Sequence, residues 1–267
     1  MGSSTGRCQM QFSKAIVRFP GENFSQGLTM SEPRTSPDFR KALEQHAAYC
    51  RALEACGVEV IAMAADEDYP DGTFVEDTFV IAERVAIATR PGAKTRMGEV
   101  ESVARAVQGL RPRLERIEAP GTLDGGDICQ VDNHFLIGIS ARTNHAGAAQ
   151  LAAILTRHQY TSSTIDIRNH PTLLHLKSGI AYLGDRRFLI APGFPPTEGF
   201  AHCHMIEVAA REVYAANAVR VNAEVLIASG FPELAGTLAK LRYRVHSLDM
   251  SEFAKMDGGL SCLSLRF

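Results

Sequence analysis

One cysteine near the end of the sequence could act as a nucleophile. Cys262 lies in MDGGLSCLSLRF, five residues before the last of the 267 residues, and follows the pair Gly258 and Gly259. Most free cysteines are small buried hydrophobic residues, but the thiolate form is a strong nucleophile. The two glycines lack side chains, which lets a ligand or another backbone segment approach closely. A glycine pair is also an ordinary turn, so the packing interpretation of Cys262 stays open.

A cysteine nucleophile needs a group that moves protons, and His175 in LLHLKSG is a candidate. Imidazole titrates near neutral pH, and a carboxylate beside it would hold the ring in place. Asp124 and Asp127, in GTLDGGDI, could supply that carboxylate. Both stretches also have ordinary interpretations, because a histidine in an apolar run is often a packing residue and Asp and Gly are common in turns.

The stretch PDGTFVEDTFV combines acidic and apolar residues in an unusual way. Asp71, Glu76 and Asp77 lie within seven residues, yet Phe-Val pairs typical of a core strand flank Glu76 and Asp77. A solvated turn accounts for Asp71, whereas neighbouring carboxylates repel and are costly to bury without a cation. A planar guanidinium would suit Glu76 and Asp77, because its fork of N–H donors pairs with carboxylates.

A guanidinium ligand that also carries a carboxylate would need a basic residue at its other end. Arg90 in IATRPG and Arg142 in SARTN each follow a strand-like run, although either could equally be a surface residue. The triplet HCH at residues 202–204 suggests a metal site, but successive strand residues point to opposite faces. We therefore interpret HCH as a helix start. The sequence contains no phosphate-binding loop and no GxSxG elbow.

Composition narrows the class of protein. The chain is 45% hydrophobic and 22% charged with a formal net charge of −2, which is typical of a soluble globular protein. No basic stripe indicates a nucleic-acid partner, and no apolar run approaches the 18 residues of a membrane span. The start MGSSTGRCQMQFSK lacks the apolar core of a signal peptide. Six scattered cysteines without CxxC spacing predict reduced thiols in a cytoplasmic protein.

Strand-like and helix-like patterns alternate along the chain. Strand-like runs, rich in β-branched and aliphatic residues, cover residues 13–20, 58–64, 74–90, 128–140, 179–192, 218–229 and 260–267. Runs with apolar residues at helical spacing cover residues 37–57, 96–110 and 144–159. We predict that residues 1–13 form a disordered extension and that residues 14–267 form a single domain.

Polar residues that introduce successive hairpin-like runs recur at intervals of 42 to 51 residues. They are Glu76, Asp124, His175, Asn217 and Cys262. Such a loose period, with strand, strand, helix and strand signals in each interval, indicates a repeated module. A single module of this size cannot bury both faces of its sheet, so neighbouring modules would pack against one another and close into a ring around a pseudo-symmetry axis. An acid, a histidine and a cysteine that are distant in sequence would then become neighbours.

Six short motifs, in order from about residue 14 to the last residue, resemble the dimethylarginine dimethylaminohydrolase family of the guanidine-modifying (pentein) superfamily. They are FVEDTFV, ATRPGAKTR, TLDGGD, ARTN, LHLKSG and DGGLSCLSLRF. The resemblance implies an α/β fold, a five-bladed propeller of ββαβ modules with pseudo-fivefold symmetry. It also implies a dimethylargininase, which hydrolyses asymmetric dimethylarginine or monomethylarginine to citrulline and an amine through a covalent cysteine thiouronium intermediate.

The resemblance carries roles to individual positions. Cys262 matches the nucleophile, His175 the general acid and base, and Asp124 the acid that orients the histidine, a position where some members have glutamate. The implied substrate-binding residues are Leu28, Asp71, Glu76, Asp77, Arg90, Arg142 and Met256. The resemblance implies no metal and no organic cofactor, although zinc could bind the thiolate and imidazole adventitiously and inhibit. The expected partner is a small methylated arginine, with no nucleic acid or membrane, and a homodimer is considered as the assembly.

Two alternatives remain. An arginine deiminase or an amidinotransferase would share the cysteine, histidine and carboxylates, but those enzymes are generally longer. Free arginine has a smaller leaving group, so the volume around the departing amine would distinguish the substrates. The second alternative is a non-catalytic binding module on the same propeller, although a pure binder need not keep Cys262, His175 and Asp124 together.

Overall fold

The structure is a computed structural model that describes residues 11–30, 35–111, 113–170, 172–195, 200 and 202–267. Residues 1–10 of the predicted extension lie outside the described residues. The first strand begins at Lys14. The two residues before it are already bonded to the domain, because Phe12 N donates to Asn222 Oδ1 (2.8 Å) and Ser13 N donates to the carbonyl of Phe267 (2.9 Å).

Short strands and helices alternate through the described part of the chain. The strands are β1 (Lys14–Arg18), β2 (Glu59–Met63), β3 (Phe79–Ile81), β4 (Ala86–Ala88), β5 (Leu114–Arg116), β6 (Ile128–Val131), β7 (His134–Ile139), β8 (Thr161–Asp166), β9 (Ile180–Gly184), β10 (Arg187–Ile190), β11 (His204–Glu207), β12 (Val219–Val221), β13 (Glu224–Ala228), β14 (Arg244–Leu248) and β15 (Leu265–Arg266). The α-helices are α1 (Phe39–Ala55), α2 (Glu99–Val107), α3 (His145–Arg157), α4 (Pro232–Lys240) and α5 (Ser251–Ala254). The three predicted helices correspond to α1, α2 and α3.

The described strands form five sheets of three strands with one shared topology. The sheets are β15-β1-β2, β3-β4-β5, β6-β7-β8, β9-β10-β11 and β12-β13-β14. In each sheet the middle strand is antiparallel to the first strand and parallel to the third. The first sheet closes the ring, because β15 from the end of the sequence pairs with β1. This arrangement confirms the predicted α/β propeller of five modules.

A parallel neighbour requires a crossover connection, which explains the ββαβ order of each module. Helices α1, α2, α3 and α4 provide this crossover in four modules. Between β10 and β11 the described residues contain no helix, so the fourth module departs from the predicted pattern. The HCH triplet lies there, and His204 begins β11 after a turn. The predicted helix start at HCH is therefore wrong.

The helices are stabilised at their ends and along one face. The Asp38 side chain accepts from Lys41 N at the start of α1, as an N-terminal capping residue should. Helix α1 then buries Ala42, Tyr49 and Leu53 in the apolar core. The described residues contain no helix that is both long enough and apolar enough to span a bilayer.

A 3₁₀ turn precedes the first strand of every sheet. The five turns are Val75–Thr78, Gly125–Asp127, Leu176–Ser178, Ala210–Ala216 and Ser261–Leu263. The first turn contacts the second and the last, the second contacts the third, and the third contacts the fourth. Asn217, just after the fourth turn, is hydrogen-bonded to Ser261 in the fifth. The periodic marker residues lie in or directly beside these turns, so the ring brings them together as predicted.

Candidate active site

A small cavity lies against the ring of 3₁₀ turns. Its wall combines a thiol, an imidazole, carboxylates and guanidinium groups with apolar side chains. The lining residues are Leu28, Asp71, Phe74, Asp77, Arg96, Arg142, Leu174, His175, Met256, Asp257, Gly258 and Cys262.

The glycine pair before Cys262 fits a crowded site. A β-carbon on Gly258 would lie 2.3 Å from Phe74 Cε1, and one on Gly259 would lie 2.4 Å from Asn217 Oδ1. Real β-carbons do not tolerate either separation, so both positions require glycine. Gly259 N lies 3.5 Å from Cys262 Sγ and donates to it. The pair therefore lets the turn pass close to its neighbours and directs one N–H at the sulfur.

The sulfur of Cys262 is protonated in this environment. Burial, together with the carboxylates of Glu76 and Asp77, raises the pKa of the Cys262 thiol to about 12. The Gly259 N–H and the Lys177 ammonium act in the opposite direction but are weaker. At neutral pH the ligand-free protein therefore has a thiol at this position, which a nearby positive charge would convert to the thiolate.

The pKa of His175 is raised as well, which keeps its ring charged rather than neutral. Its Nε2 lies 2.9 Å from Asp124 Oδ2 and 4.0 Å from Asp77 Oδ1. Burial alone would lower the pKa of His175, but the carboxylates of Asp77, Asp124 and Asp127 outweigh it and raise the pKa to about 9. The ring is therefore an imidazolium at neutral pH, with Nε2–H donated to Asp124.

The two aspartates of TLDGGD have different partners. Asp124 is fully buried and accepts from Gly92 N through Oδ1 (2.8 Å) while Oδ2 accepts from His175. Asp127 instead accepts from the backbone N–H of Leu176 (2.9 Å) and from two hydroxyl groups, those of Ser140 and Thr143. Of the two acids left open by the sequence, Asp124 is the one bonded to the imidazole.

Asp77 projects into the cavity beside His175. Its Oδ1 accepts from Gly126 N (2.8 Å), and its Oδ2 accepts from Arg96 Nη1 (2.6 Å). Burial would raise the pKa of Asp77, but the positive charges of His175 and Arg96 outweigh it and lower the pKa to about 2. Asp77 is therefore a carboxylate over the physiological pH range.

Arg96 was missed in the sequence. It is buried, with Nε donating to Glu99 Oε1 (3.0 Å) and Nη2 donating to the carbonyl of Phe74 (3.0 Å). Arg96 ends the motif ATRPGAKTR, whose first arginine is Arg90. The signal that could have found it is the position of Arg96 as the first residue of the predicted helix at residues 96–110.

Arg90 lies outside the cavity lining, contrary to expectation. Its Nη1 donates to the carbonyl of Gly121 (3.2 Å), and its backbone forms an isolated β-bridge with Leu123. This bridge fixes Arg90 beside the TLDGGD segment, whereas Arg142 lines the cavity as expected.

The expected carboxylate pair is also separated. Glu76 Oε1 lies 2.6 Å from Lys177 Nζ and 3.3 Å from Arg266 Nη2, and its Oε2 accepts from Ser261 Oγ (2.8 Å). These four residues line a different cavity. Glu76 is thus neutralised by the protein's own cations, and Asp77 alone of the pair faces the cavity of Cys262.

The remaining predicted residues lie at the cavity rim and wall. Asp71 accepts from the backbone N–H of Leu28 through both oxygens (3.1 and 3.2 Å), and burial raises the pKa of Asp71. The Leu28 side chain is 39% exposed, as expected for a residue at an opening. Met30 N donates to Asp257 Oδ2, which ties the segment after Leu28 to the residue after Met256.

Asp77, Asp124 and His175 place potential metal ligands within 4.8 Å of one another. Their donor atoms already serve other partners: Asp77 binds Arg96 and Gly126, and Asp124 binds Gly92 and the imidazole. A metal would also have to displace protons from His175 and from the thiol of Cys262, because ligating groups must be deprotonated. This donor set suits acid–base chemistry on an organic cation better than metal binding.

Comparison with known proteins agrees with this site. A family model for arginine deiminase matches residues 108–230. An N(G),N(G)-dimethylarginine dimethylaminohydrolase from Pseudomonas aeruginosa is 46% identical, covering 96% of this chain and all of that protein. One from Streptomyces coelicolor is 32% identical, covering 96% of this chain and 98% of that protein.

Solved structures give the same result. A mutant of the Pseudomonas aeruginosa enzyme complexed with citrulline has a TM-score of 0.93 and 45% identity, covering 97% of this chain and all of that chain. The N-terminal domain of ArgZ, a cyanobacterial arginine dihydrolase, has a TM-score of 0.85 at 16% identity, covering 96% of this chain and 97% of that chain, a likeness that shows the fold alone. The chain therefore belongs to the dimethylarginine dimethylaminohydrolase family.

Proposed function

We propose that this protein hydrolyses Nω-methylated L-arginine to L-citrulline and methylamine or dimethylamine. The observation that carries the proposal is one cavity that holds a neutral thiol, an imidazolium–carboxylate pair and a separate carboxylate: Cys262, His175 with Asp124, and Asp77. Family membership at 46% identity over nearly the whole chain supports the same substrate class.

Substrate binding activates the nucleophile. The substrate guanidinium is a planar cation, and the Asp77 carboxylate can accept its N–H groups. This contact holds the central guanidinium carbon beside Cys262 Sγ and adds positive charge next to the sulfur. Because that charge favours the thiolate, the thiol of Cys262 releases its proton to solvent more readily in the complex than in the free protein.

The first half of the reaction replaces the methylated amine by sulfur. The thiolate adds to the guanidinium carbon and gives a tetrahedral adduct. His175 then donates a proton from Nδ1, the ring nitrogen not bonded to Asp124, to the methylated nitrogen. The C–N bond breaks, the amine leaves, and a thiouronium remains on Cys262.

The second half adds water. His175, now neutral, takes a proton from a water molecule, and the resulting hydroxide adds to the same carbon. The C–S bond then breaks and its electron pair returns to sulfur. The hydroxyl proton of the resulting protonated urea passes to that sulfur, which restores the thiol of Cys262 and leaves the urea group of citrulline. The released amine takes up the proton that Cys262 gave to solvent. The sum is one substrate and one water consumed, with one citrulline and one amine released, and no step requires a metal or an organic cofactor.

The amino-acid end of the substrate would lie at the cavity rim. We assign its carboxylate to Arg142, with Arg96 as the second guanidinium of the wall in place of Arg90. Its ammonium is assigned to Asp71 and to the backbone of Leu28 and Met256. Glu76 takes no direct role here, because Lys177 and Arg266 already neutralise it.

A substrate panel tests the proposal. We expect the purified protein to form citrulline from asymmetric dimethylarginine and monomethylarginine faster than from arginine, and Cys262→Ser to abolish turnover without changing the circular dichroism. Cys203→Ser is the matched control, since Cys203 is a half-buried thiol outside the cavity. Faster turnover of arginine would favour the alternative of an arginine deiminase, the family whose model matches residues 108–230. If no guanidine were turned over, the non-catalytic binding module would be the alternative that remains.

Two further expectations concern the cellular state. The homodimer and the cytoplasmic location stay predictions, since they depend on surfaces and sequence composition rather than on the cavity. Light scattering after size exclusion would measure the mass in solution, and a monomeric mass would contradict the homodimer.

A further inference from the structure

A second cluster of potential metal ligands lies outside the cavity. The sulfur of Cys56, a carboxylate oxygen of Glu224 and a ring nitrogen of His246 all lie within 4.8 Å of one another. None of the three lines the cavity of Cys262. Cys56 follows α1, whereas Glu224 and His246 lie on the paired strands β13 and β14. The cluster therefore joins the first module of the ring to the fifth.

We propose that Cys56, Glu224 and His246 form a zinc-binding site that is separate from the catalytic cavity. Thiolate, imidazole and carboxylate are the three side-chain ligands that zinc uses in proteins. Around one tetrahedral zinc, bond lengths of about 2.0–2.3 Å place ligand atoms about 3.3–3.6 Å apart. Because the three ligand atoms lie within 4.8 Å of one another, side-chain rotations can bring them to that geometry, with a water as the fourth ligand.

Neighbouring groups already hold two of the three ligands in position, and the third ligand contacts one of them. The carbonyl of Cys56 accepts from Asn222 Nδ2 (2.9 Å), and Glu224 Oε1 accepts from Arg244 Nη1 (3.2 Å). The other carboxylate oxygen, Oε2, contacts His246 Nε2. The contacts from Asn222 and Arg244 are outer contacts, which orient metal ligands and strengthen binding, whereas the contact between Glu224 and His246 lies within the cluster. Because Arg244 occupies Oε1, Glu224 would bind the metal through Oε2 alone.

The charges and the exposure of the cluster suit a divalent ion. A thiolate, a carboxylate and a neutral imidazole carry a total charge of −2, so one Zn²⁺ makes the site neutral. Cys56 is buried, but the side chain of His246 is 21% exposed, which gives a metal and its water access from solvent. Burial, together with Glu224, raises the pKa of the Cys56 thiol to about 11. Binding at neutral pH must therefore release the thiol proton.

Cobalt(II) is a suitable probe, because a cobalt–thiolate bond produces a charge-transfer absorption. The titration uses the full-length Cys262→Ser variant, which removes the catalytic thiol. We expect one equivalent of cobalt to produce the absorption and zinc to displace it. The absorption should be lost in Cys262→Ser/Cys56→Ser and retained in the matched control Cys262→Ser/Cys203→Ser. In the otherwise native protein, Cys56→Ser should leave citrulline formation unchanged.

A second variant tests the proposal independently in case Cys56→Ser does not fold. His246→Gln changes a partly exposed ligand and should weaken cobalt binding at least tenfold in the Cys262→Ser background. An absent absorption in Cys262→Ser, a full absorption in Cys262→Ser/Cys56→Ser, or an unchanged affinity in the His246→Gln variant would each overturn the proposal.

Discussion

Replacing Asp124 by asparagine should lower the pKa of His175 and make the loss of activity grow with pH. Asp124 uses two acceptors, one for Gly92 N and one for His175 Nε2–H. Asparagine has one acceptor oxygen. If that oxygen stays with Gly92 N, the amide N–H₂ faces His175 and requires a lone pair on Nε2. The variant thus disfavours the imidazolium that donates the proton in the first half of the reaction.

The size of the effect follows from the pKa of His175, which is about 9 in the native protein. At pH 8 about nine-tenths of the rings are then protonated. Asp77 and Asp127 remain in the variant and still raise the pKa, so a fall to the ordinary value of about 6.5 sets the upper limit of the effect. At that limit about 3% of the rings are protonated at pH 8, a loss of about 30-fold, but only about 4-fold at pH 7. Misorientation of the ring adds a loss that does not depend on pH.

Two measurements check this reasoning. The pH profile of kcat/KM for citrulline formation should show its alkaline limb moved to lower pH, and the NMR titration of His175 should show the lower pKa directly. Asp68→Asn is the matched control, because Asp68 is an exposed aspartate outside the cavity. A pKa of His175 that stays near 9 in Asp124→Asn, or a loss of activity that is equal at pH 7 and pH 8, would refute the role given to Asp124.

Three further predictions test other parts of the site. Asp77→Asn should lower kcat/KM about 10- to 100-fold, as expected for a lost charge-assisted hydrogen bond, and unchanged kcat and KM would exclude its contact with the guanidinium. Gly258→Ala should destabilise the fold by about 1–3 kcal/mol in denaturant unfolding, because its β-carbon would lie 2.3 Å from Phe74 Cε1, whereas Gly236→Ala, where a β-carbon meets no neighbour within 4 Å, should not. The raised pKa of His175 contributes about 3 kcal/mol to stability that is present below pH 6.5 and lost as the pH rises to 9. His175→Gln should not lose this stability as the pH rises. If the unfolding free energies of the native protein and of His175→Gln changed with pH in the same way, the prediction would be wrong.

The repeat was visible in the sequence because each module begins with the same kind of element. A polar residue before two apolar strands recurs five times, and in the structure these residues lie in or beside the 3₁₀ turns of the ring. The third strands were harder to find. β5 (LER), β8 (TSSTID) and β14 (RVHSL) lie at sheet edges, where exposed positions carry polar residues. Without an apolar run, such strands have no clear pattern in a single sequence.

The direction of adjacent side chains could not be predicted. Glu76 and Asp77 are neighbours in the sequence, but the 3₁₀ turn points Glu76 toward Lys177 and Arg266 and Asp77 toward the cavity. Those cations belong to other modules and are distant in sequence. The same limit applies to Arg96, whose burial depends on tertiary packing rather than on its motif.

The charges of the cavity explain why the nucleophile would ionise only with a cationic substrate bound. With a thiol pKa of about 12, forming the thiolate of Cys262 at pH 7 costs about 7 kcal/mol in the ligand-free protein. A guanidinium about 4 Å from the sulfur lowers that cost by about 4 kcal/mol at an effective dielectric constant of about 20, which leaves about 3 kcal/mol, so the thiolate becomes accessible during turnover although the thiol is still favoured. Citrulline is neutral at that position and supplies none of this, so the sulfur regains its proton once the product forms. A positively charged substrate is thus needed to form the thiolate, which favours guanidines over neutral ligands. Without such a substrate Cys262 stays a thiol, which is a poor nucleophile.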